Sequence, residues 1–178
     1  MFRRSPSLSW RSLTTRRKFD LVATGGTFDE LHIGHLALLS KAFEVGDRVI
    51  IGVSSDDFAT RVKRKGKLNH TYEQRVKNLH ATIDKQFGRQ VKYTVAMLDN
   101  DFGPIVTEGP VEALVASSET ARKGKEINDI RRMNGLKPIS IVAVDILKAE
   151  DGGPISSTRI RAGEIDSLGK ILRTTKTK

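Results

Sequence analysis

The sequence predicts an α/β fold with a single, doubly wound, five-stranded parallel sheet. From residue 19 onward, short apolar segments of strand length alternate with longer segments whose apolar residues repeat at helical spacing. The segment 49–53 is continuously apolar and rich in β-branched residues, which is typical of a strand buried on both faces of a parallel sheet. The helical segments between successive strands supply the crossovers that parallel strands require.

The predicted strands and helices alternate along the chain. Strands are expected at residues 19–23, 49–53, 91–97, 113–116 and 139–146. Helices are expected at 35–44, 72–87 and 118–134, and a last short helix opens at 156–158. Thr71 suits the N-cap of the second helix, and Gly135 suits the C-terminal end of the third. In such a sheet, ligands bind beyond the carboxyl ends of the strands, near the point where strand order reverses.

The excess positive charge lies at the two ends of the chain. The formal net charge is +10, and segments 1–18 and 169–178 together hold ten basic residues and no acidic one. The body is therefore formally neutral, with 21 acidic residues and as many basic ones. We predict a basic, disordered leader at 1–18, one domain at 19–168 and a basic tail at 169–178. A nucleic-acid-binding domain would more often carry a basic face within the fold itself.

Composition also bears on where the protein works. The leader is rich in arginine and serine and lacks acids, which fits a mitochondrial transit peptide, a disordered tail, or codons included by a misplaced start. The chain has no cysteine, which excludes disulfides, thiolate metal sites and cysteine nucleophiles. No apolar segment approaches the roughly 20 residues that span a bilayer. We expect a cytoplasmic protein that binds no membrane.

The most informative segment is 24–35, Thr-Gly-Gly-Thr-Phe-Asp-Glu-Leu-His-Ile-Gly-His. An apolar strand enters a tight Gly-Gly turn, and a helix then opens at the two histidines. Free N–H groups of a first helical turn favour an anionic ligand, and glycine lets a phosphate approach the backbone. His32 and His35 are three residues apart, so both imidazoles can face one phosphate, beside the hydroxyl of Thr27. The segment therefore predicts a nucleotide site.

A second candidate phosphate element follows the last predicted strand. Residues 156–158 are Ser-Ser-Thr at a helix start, where three hydroxyls can cap free amides or hydrogen-bond a phosphate. Arg159 can add charge-assisted hydrogen bonds to phosphate oxygens. Together with the first element, this segment predicts a site for a polyphosphate.

A basic run, 61–67, lies between the second strand and the next helix. Because it follows a strand end, one of its lysines could swing over the phosphates at a reaction centre. Lys67 is the preferred candidate and Lys65 the next, although spacing does not distinguish them.

These segments resemble the signatures of the HxGH nucleotidyltransferase superfamily, in which a His-Gly-His element is combined with a Ser-Ser-Thr phosphate loop. The middle of the chain narrows the resemblance to the archaeal-type phosphopantetheine adenylyltransferases and the related domain of eukaryotic bifunctional CoA synthases. The resemblance covers roughly residues 19–168, and the middle and late segments that carry it are 99–104, 117–120, 127–132, 135–138 and 149–152.

The resemblance implies a Rossmann-like nucleotidyltransferase fold and an activity in coenzyme A biosynthesis. AMP would pass from ATP to 4′-phosphopantetheine, giving dephospho-CoA and pyrophosphate. The expected partners are these two small molecules, with Mg²⁺ bridging the phosphates, an oligomer allowed and no specific nucleic acid. The attacking phosphate is already ionised near neutral pH, so catalysis reduces to positioning two anions and neutralising developing charge.

The resemblance also assigns residues to three roles. Catalysis is assigned to His35, Thr27 and a loop lysine, Lys67 or Lys65. ATP binding is assigned to Gly26, Thr27, Phe28, His32, His35, Ser156, Ser157, Thr158 and Arg159. Phosphopantetheine binding is assigned to Thr27, Lys67, Asp101, Gly103 and Pro104.

Three other functions are weighed against this one. A sibling enzyme (a glycerol 3-phosphate cytidylyltransferase, or an FMN or NMN adenylyltransferase) could share both phosphate elements, but the middle segments argue against it. A nucleotide-binding regulator without turnover is disfavoured by the retention of Thr27, both histidines and Arg159. Nucleic-acid binding through the basic ends is the least favoured, because the body is neutral.

Overall fold

A computed structural model describes residues 17–62 and 66–172 of the chain. Within these residues, five strands form one sheet in the order β3-β2-β1-β4-β5, and every neighbouring pair is parallel. The strands are β1 Phe19–Gly26, β2 Gly46–Ser54, β3 Lys92–Leu98, β4 Ala113–Ser117 and β5 Ser140–Val144. The predicted single, doubly wound, five-stranded parallel sheet is confirmed.

Helices connect the strands and cover the sheet. They are α1 Ile33–Val45, α2 Tyr72–Phe87, α3 Ser118–Ala121, α4 Gly124–Met133 and α5 Ser157–Arg161, with a one-turn π-helix Phe58–Val62 and a 3₁₀ turn Gly103–Val106. No helix in the described ranges is long and apolar enough to cross a membrane.

The core lies on both faces of the sheet, because successive strand residues point to opposite faces. On β1, Val22 packs with apolar residues of α1 and α2, including Leu39 and Leu79. The preceding and following residues of β1, Leu21 and Ala23, pack instead with residues of the 3₁₀ turn and α4. β1 is therefore buried on both faces at the centre of the sheet, and it fixes the position of the turn that follows Gly26.

Strand order reverses at β1. The chain proceeds from β1 to β2 and β3 in one direction and then returns to place β4 and β5 on the other side of β1. The connections that leave the carboxyl ends of β1 and β4 diverge, and a crevice opens between them. The fold therefore places a crevice, where ligands of such sheets bind, just beyond Gly26 and Ser117.

Two predicted helix boundaries are confirmed. Thr71 caps α2 with a capping box, since its side chain accepts from the Gln74 amide at 3.4 Å while the Gln74 side chain accepts from the Thr71 amide at 3.0 Å. Gly135 follows the end of α4 with a φ of +72°, which suits glycine, and its amide donates to the Arg132 carbonyl.

The helix predicted at 118–134 is wrong as a single element. It is interrupted at Arg122 and Lys123 and becomes α3 and α4. The cause is packing against β5, because a Cβ placed on Gly124 would lie 2.6 Å from Cγ1 of Ile141. α4 therefore begins at a glycine, which has no side chain to collide with β5.

The described fold continues past the predicted domain end at residue 168. Residues 164–172 form a small hairpin, in which Ile165 and Ile171 pair and the Leu172 amide donates to the Glu164 carbonyl. Ile165 is fully buried against Ala149. Most of the predicted leader and the tail beyond Leu172 lie outside the described residues.

Candidate active site

A cleft of about 690 Å³ opens at the carboxyl ends of β1 and β4, where the strand order reverses. Its walls come from both predicted phosphate elements and from the middle of the chain. The predicted site residues that line it are Gly26, Thr27, His32, His35, Asp101, Pro104, Ser156, Ser157 and Thr158. The structure thus brings together segments that are more than a hundred residues apart in the sequence.

The turn after β1 has a left-handed residue at its centre. Phe28 has a φ of +53°, which is uncommon for a residue other than glycine, and its side chain is fully buried. Arg75 of α2 is also buried and donates to the carbonyls of Thr27 and Ser54. The Phe28 ring lies 4.9 Å from the His35 ring, between centroids. Phe28 therefore supports the cleft from the core and is not among its described lining residues.

The first turn of α1 does not offer the free amides that the sequence suggested. The Ile33 amide donates to the Ser167 carbonyl at 3.1 Å, and the Gly34 amide donates to Nδ1 of His32 at 3.1 Å. The expectation of free amides is wrong for these two residues, because the 164–172 hairpin and the N-cap side chain occupy them. Any contact between this helix and a phosphate would then be made by side chains, assisted by the helix dipole.

The two histidines lie against each other at the start of α1. Their rings stack with centroids 3.9 Å apart and an interplanar angle of 29°. His32 is the N-cap and is buried, whereas the less buried His35 lies on the first turn, and both line the cleft. Burial lowers the pKa of His32 to about 4, so this imidazole is neutral at pH 7.

The buried His32 is expected to make folding sensitive to acid. An unfolded histidine titrates near pH 6.5, so between about pH 6.5 and pH 4 the unfolded state binds more protons than the folded state. The free energy of unfolding then falls with decreasing pH, by up to about 1.4 kcal/mol per pH unit from this group. His32→Asn, which keeps a capping acceptor but cannot titrate, should flatten the dependence measured by urea titration.

The matched control for that experiment is the same substitution at His80, an exposed residue whose Nδ1 lies 2.6 Å from the Tyr93 hydroxyl. His80→Asn should retain the acid sensitivity of the wild type. Equal slopes in His32→Asn and the wild type would show that His32 does not carry the effect.

The Ser-Ser-Thr element forms the start of α5 and faces the first turn. Ser156 is the N-cap, and its hydroxyl accepts from the Arg159 amide at 3.4 Å. The hydroxyl of Ser157 donates to the Glu30 carbonyl at 3.0 Å, which ties α5 to the segment after β1. The two phosphate elements are therefore in direct contact, with Thr158 beside them on the cleft wall.

Arg161 is among the described residues that line the cleft, whereas Arg159 is not. Arg159 is held by Asp151 and by Glu164, whose carboxylate lies 2.8 Å from Nε, and these hydrogen bonds raise the pKa of Arg159. Arg161 lines the cleft and was missed by sequence reasoning. The available signal was helical spacing, because Thr158 and Arg161 are three residues apart and share a helix face. An ATP contact by Arg159 stays a prediction.

The middle of the chain supplies a charged pair at the cleft. Asp101 lines it and accepts from Nζ of Lys123 at 3.1 Å, which joins the loop after β3 to the start of α4. Gly103 lies behind this wall with a φ of +54°, close to Leu98. Lys123 and Glu119 also line the cleft and were not predicted. Their position in the sequence could have identified them, since both follow the carboxyl end of β4.

Neither candidate loop lysine is located on the cleft wall by the described residues. Lys67 is exposed and is not among the described residues that line the cleft. Lys65 lies outside the described residues. Catalysis by either lysine stays a prediction.

Asp29, Glu30 and His70 form a group in which one ligand atom of each lies within 4.8 Å of the others. The group does not fit a metal ion, because both oxygens of Asp29 accept from the Asn69 amide, at 3.2 Å each, and one is also 2.8 Å from the Arg161 guanidinium. A cation here would have to displace these donors and approach an arginine.

A sequence model of the cytidylyltransferase-like family matches residues 23–163. That range contains β1 from Ala23 onward, both phosphate elements and the other four strands. The chain therefore belongs to the cytidylyltransferase-like class of nucleotidyltransferases.

Individual relatives define the family more narrowly. The phosphopantetheine adenylyltransferase of Methanothermobacter thermautotrophicus is 46% identical over 158 residues, which cover 89% of this chain and 93% of that protein. The phosphopantetheine adenylyltransferase of Methanopyrus kandleri is 38% identical over 154 residues, covering 86% of this chain and 96% of that protein. This chain belongs to the phosphopantetheine adenylyltransferase family.

A solved structure supports the fold. The crystal structure of a protein with unknown function from Archaeoglobus fulgidus superposes with a TM-score of 0.60 and is 32% identical in sequence. The match covers 70% of this chain and 97% of that one.

Proposed function

We propose that this protein transfers AMP from ATP to 4′-phosphopantetheine, forming dephospho-CoA and releasing pyrophosphate. The observation that carries the proposal is the contact between two phosphate elements in one cleft, in a chain of the phosphopantetheine adenylyltransferase family. A cytoplasmic location belongs to the same proposal and agrees with the absence of cysteine.

The reaction needs positioning more than it needs a protein nucleophile. A phosphate oxygen of 4′-phosphopantetheine attacks the α-phosphorus of ATP, and the bond from that phosphorus to the bridging oxygen of the β-phosphate breaks. The electron pair leaves with pyrophosphate. Thr27 would orient the attacking phosphate, and His35 would donate to an oxygen on the α-phosphorus as charge develops there.

The second element would hold the departing phosphates. Residues 156–158 lie on the cleft wall, and Arg161 adds a permanent positive charge beside Thr158. Magnesium would enter with ATP as part of that substrate and would neutralise phosphate charge, because the group of Asp29, Glu30 and His70 does not fit a resident ion.

The phosphopantetheine arm would extend toward the middle segments of the chain. Asp101, Pro104 and Lys123 line that part of the cleft, and the apolar side chains of Phe102 and Ile127 also face it. A wall of mixed polar and apolar character suits an arm that alternates amides with short alkyl segments.

The proposed activity is tested by pyrophosphate release with magnesium and a panel of substrates. ATP would be offered with 4′-phosphopantetheine, FMN or nicotinamide mononucleotide, and CTP would be offered with glycerol 3-phosphate. Release only with phosphopantetheine is expected. Release with another acceptor would assign the chain to a sibling activity, and ATP binding without release would favour a regulatory role.

One of the two candidate loop lysines is expected to contribute to turnover. Lys67→Ala or Lys65→Ala should lower kcat by at least ~10-fold at saturating substrates, since a cation near the α-phosphate stabilises developing charge. Lys77→Ala, on the exposed side of α2, is the matched control and should leave kcat unchanged. If both loop variants keep the wild-type kcat, the loop-lysine hypothesis is wrong.

A further inference from the structure

The buried carboxylate of Asp29 connects three segments around the cleft. Asp29 ends the turn after β1, and its side chain is fully shielded from solvent. Its oxygens accept from the backbone amides of Asn69 and His70, at 3.2 and 3.0 Å, and from the Arg161 guanidinium at 2.8 Å. The His70 ring adds a contact at 3.2 Å. One side chain of the first phosphate element thus bonds to α5 and to the segment before α2.

The contact with Arg161 determines where that guanidinium lies. The Arg161 side chain is only 10% exposed, and its two terminal nitrogens contact the Asp29 carboxylate at 2.8 Å and the Thr158 hydroxyl at 3.4 Å. A planar guanidinium held at one edge by a buried carboxylate loses much of the rotational freedom of a long side chain. Arg161 is therefore oriented on the cleft wall by a residue of the other phosphate element.

The contacts of Asp29 with Asn69 and His70 fix the position of the chain just after the basic run. Lys67 is two residues before Asn69, and α2 begins just after its N-cap Thr71. The Asn69 side chain also donates to the Glu30 carboxylate at 2.7 Å. The chain leaving the basic run is thus fastened to the turn after β1 within a few residues of its preferred lysine.

We infer that Asp29 is a positioning residue that holds Arg161 and the end of the basic run in register with the phosphate turn. This role rests on the proposed function, because it assumes that these segments contact the same substrate phosphates. Asp29 itself contacts no substrate, since its carboxylate is buried and occupied by N–H donors. Its effect passes through the groups that it holds.

The inference is tested with Asp29→Asn, which keeps the shape and one acceptor oxygen but loses the charge that holds Arg161. We expect kcat to fall on the order of 10- to 100-fold, because a misplacement of about 1 Å costs roughly that much. KM for ATP should change less than ~3-fold, since many other groups bind the nucleotide. Near-wild-type kcat in a folded Asp29→Asn protein would overturn the inference.

A second readout does not depend on activity. Trypsin cleaves after basic residues, and the 61–67 run contains five of them. Asp29→Asn should be cut in this run at least ~5-fold faster than the wild type under native conditions, because the end of the run has lost its anchor. Unchanged cleavage would overturn the inference. A wild type that releases no pyrophosphate from ATP in the presence of 4′-phosphopantetheine would overturn only the proposed function, and the cleavage rates would still decide the role of Asp29.

Two further variants separate positioning from general stability. His70→Ala removes one partner of Asp29 at a partly exposed position, so it should fold, lower kcat ~3-fold and speed cleavage moderately. Asn128→Ala is the matched control, because Asn128 braces α4 by bonding both the amide and the carbonyl of Ile139, outside the cleft. Asn128→Ala should lower the melting temperature while keeping kcat and the cleavage pattern. Equal kcat losses in Asn128→Ala and Asp29→Asn would overturn the inference.

Discussion

Replacing His35 by alanine is expected to lower the rate of pyrophosphate release at least ~100-fold without unfolding the protein. The imidazole lies on the cleft wall at the first turn of α1, where it would donate to the α-phosphate as charge develops. Loss of one such donor commonly costs about 100- to 1,000-fold in kcat. The measurement is steady-state pyrophosphate release at saturating ATP and phosphopantetheine, with circular dichroism to verify the fold.

His80→Ala is the matched control for that experiment. It also removes an imidazole from a helix, but His80 is exposed on α2 and contacts Tyr93 rather than the cleft. Its turnover should equal that of the wild type. An unchanged rate in His35→Ala would remove His35 from the proposed mechanism, whereas an equal loss in both variants would indicate a general effect on α-helical packing.

Replacing Arg131 by methionine is expected to lower the free energy of unfolding by about 3 kcal/mol or more. Arg131 is fully buried, and its guanidinium donates to backbone carbonyls that include those of Lys137, Ile105, Glu108 and Val111. Methionine is of similar length but donates nothing, so these carbonyls lose their donor. Each buried carbonyl without a partner costs about 1–3 kcal/mol. Denaturant titration gives the measurement.

The neighbouring Arg132 provides the control for Arg131. Arg132 is exposed and pairs with Asp129, a surface interaction worth at most about 1 kcal/mol. Arg132→Met should therefore change the unfolding free energy by less than about 1 kcal/mol. A loss of under 1 kcal/mol in Arg131→Met would mean that water or backbone movement satisfies the carbonyls that the guanidinium now serves.

The α/β class and most element positions could be predicted because they depend on local pattern. Apolar runs of strand length, helical spacing and residues such as Thr71 and Gly135 act within a few residues of themselves. The helix predicted at 118–134 failed for the opposite reason. Its interruption before Gly124 depends on contact with Ile141, which lies in a different element and leaves no periodic trace in the helix.

Part of the candidate site could be predicted because it, too, depends on local sequence pattern. The Gly-Gly turn and the Ser-Ser-Thr helix start are local signals, and both lie on the cleft. The partners of individual polar groups could not be predicted, because they come from distant parts of the sequence. The Ile33 amide is occupied by Ser167, and Arg161 rather than Arg159 reaches the cleft because Asp29, 132 residues away, holds it.

By itself, the sequence determined the fold class, the order of the elements and the two candidate phosphate segments, because short-range periodicity and turn chemistry specify all three. The tertiary structure alone decided which amides are occupied, which arginine lines the cleft and how Asp29 joins three segments. Those outcomes depend on donors and acceptors that meet only after the sheet is assembled. A buried carboxylate such as that of Asp29 must find partners wherever the fold brings them, and proximity in sequence does not limit the choice.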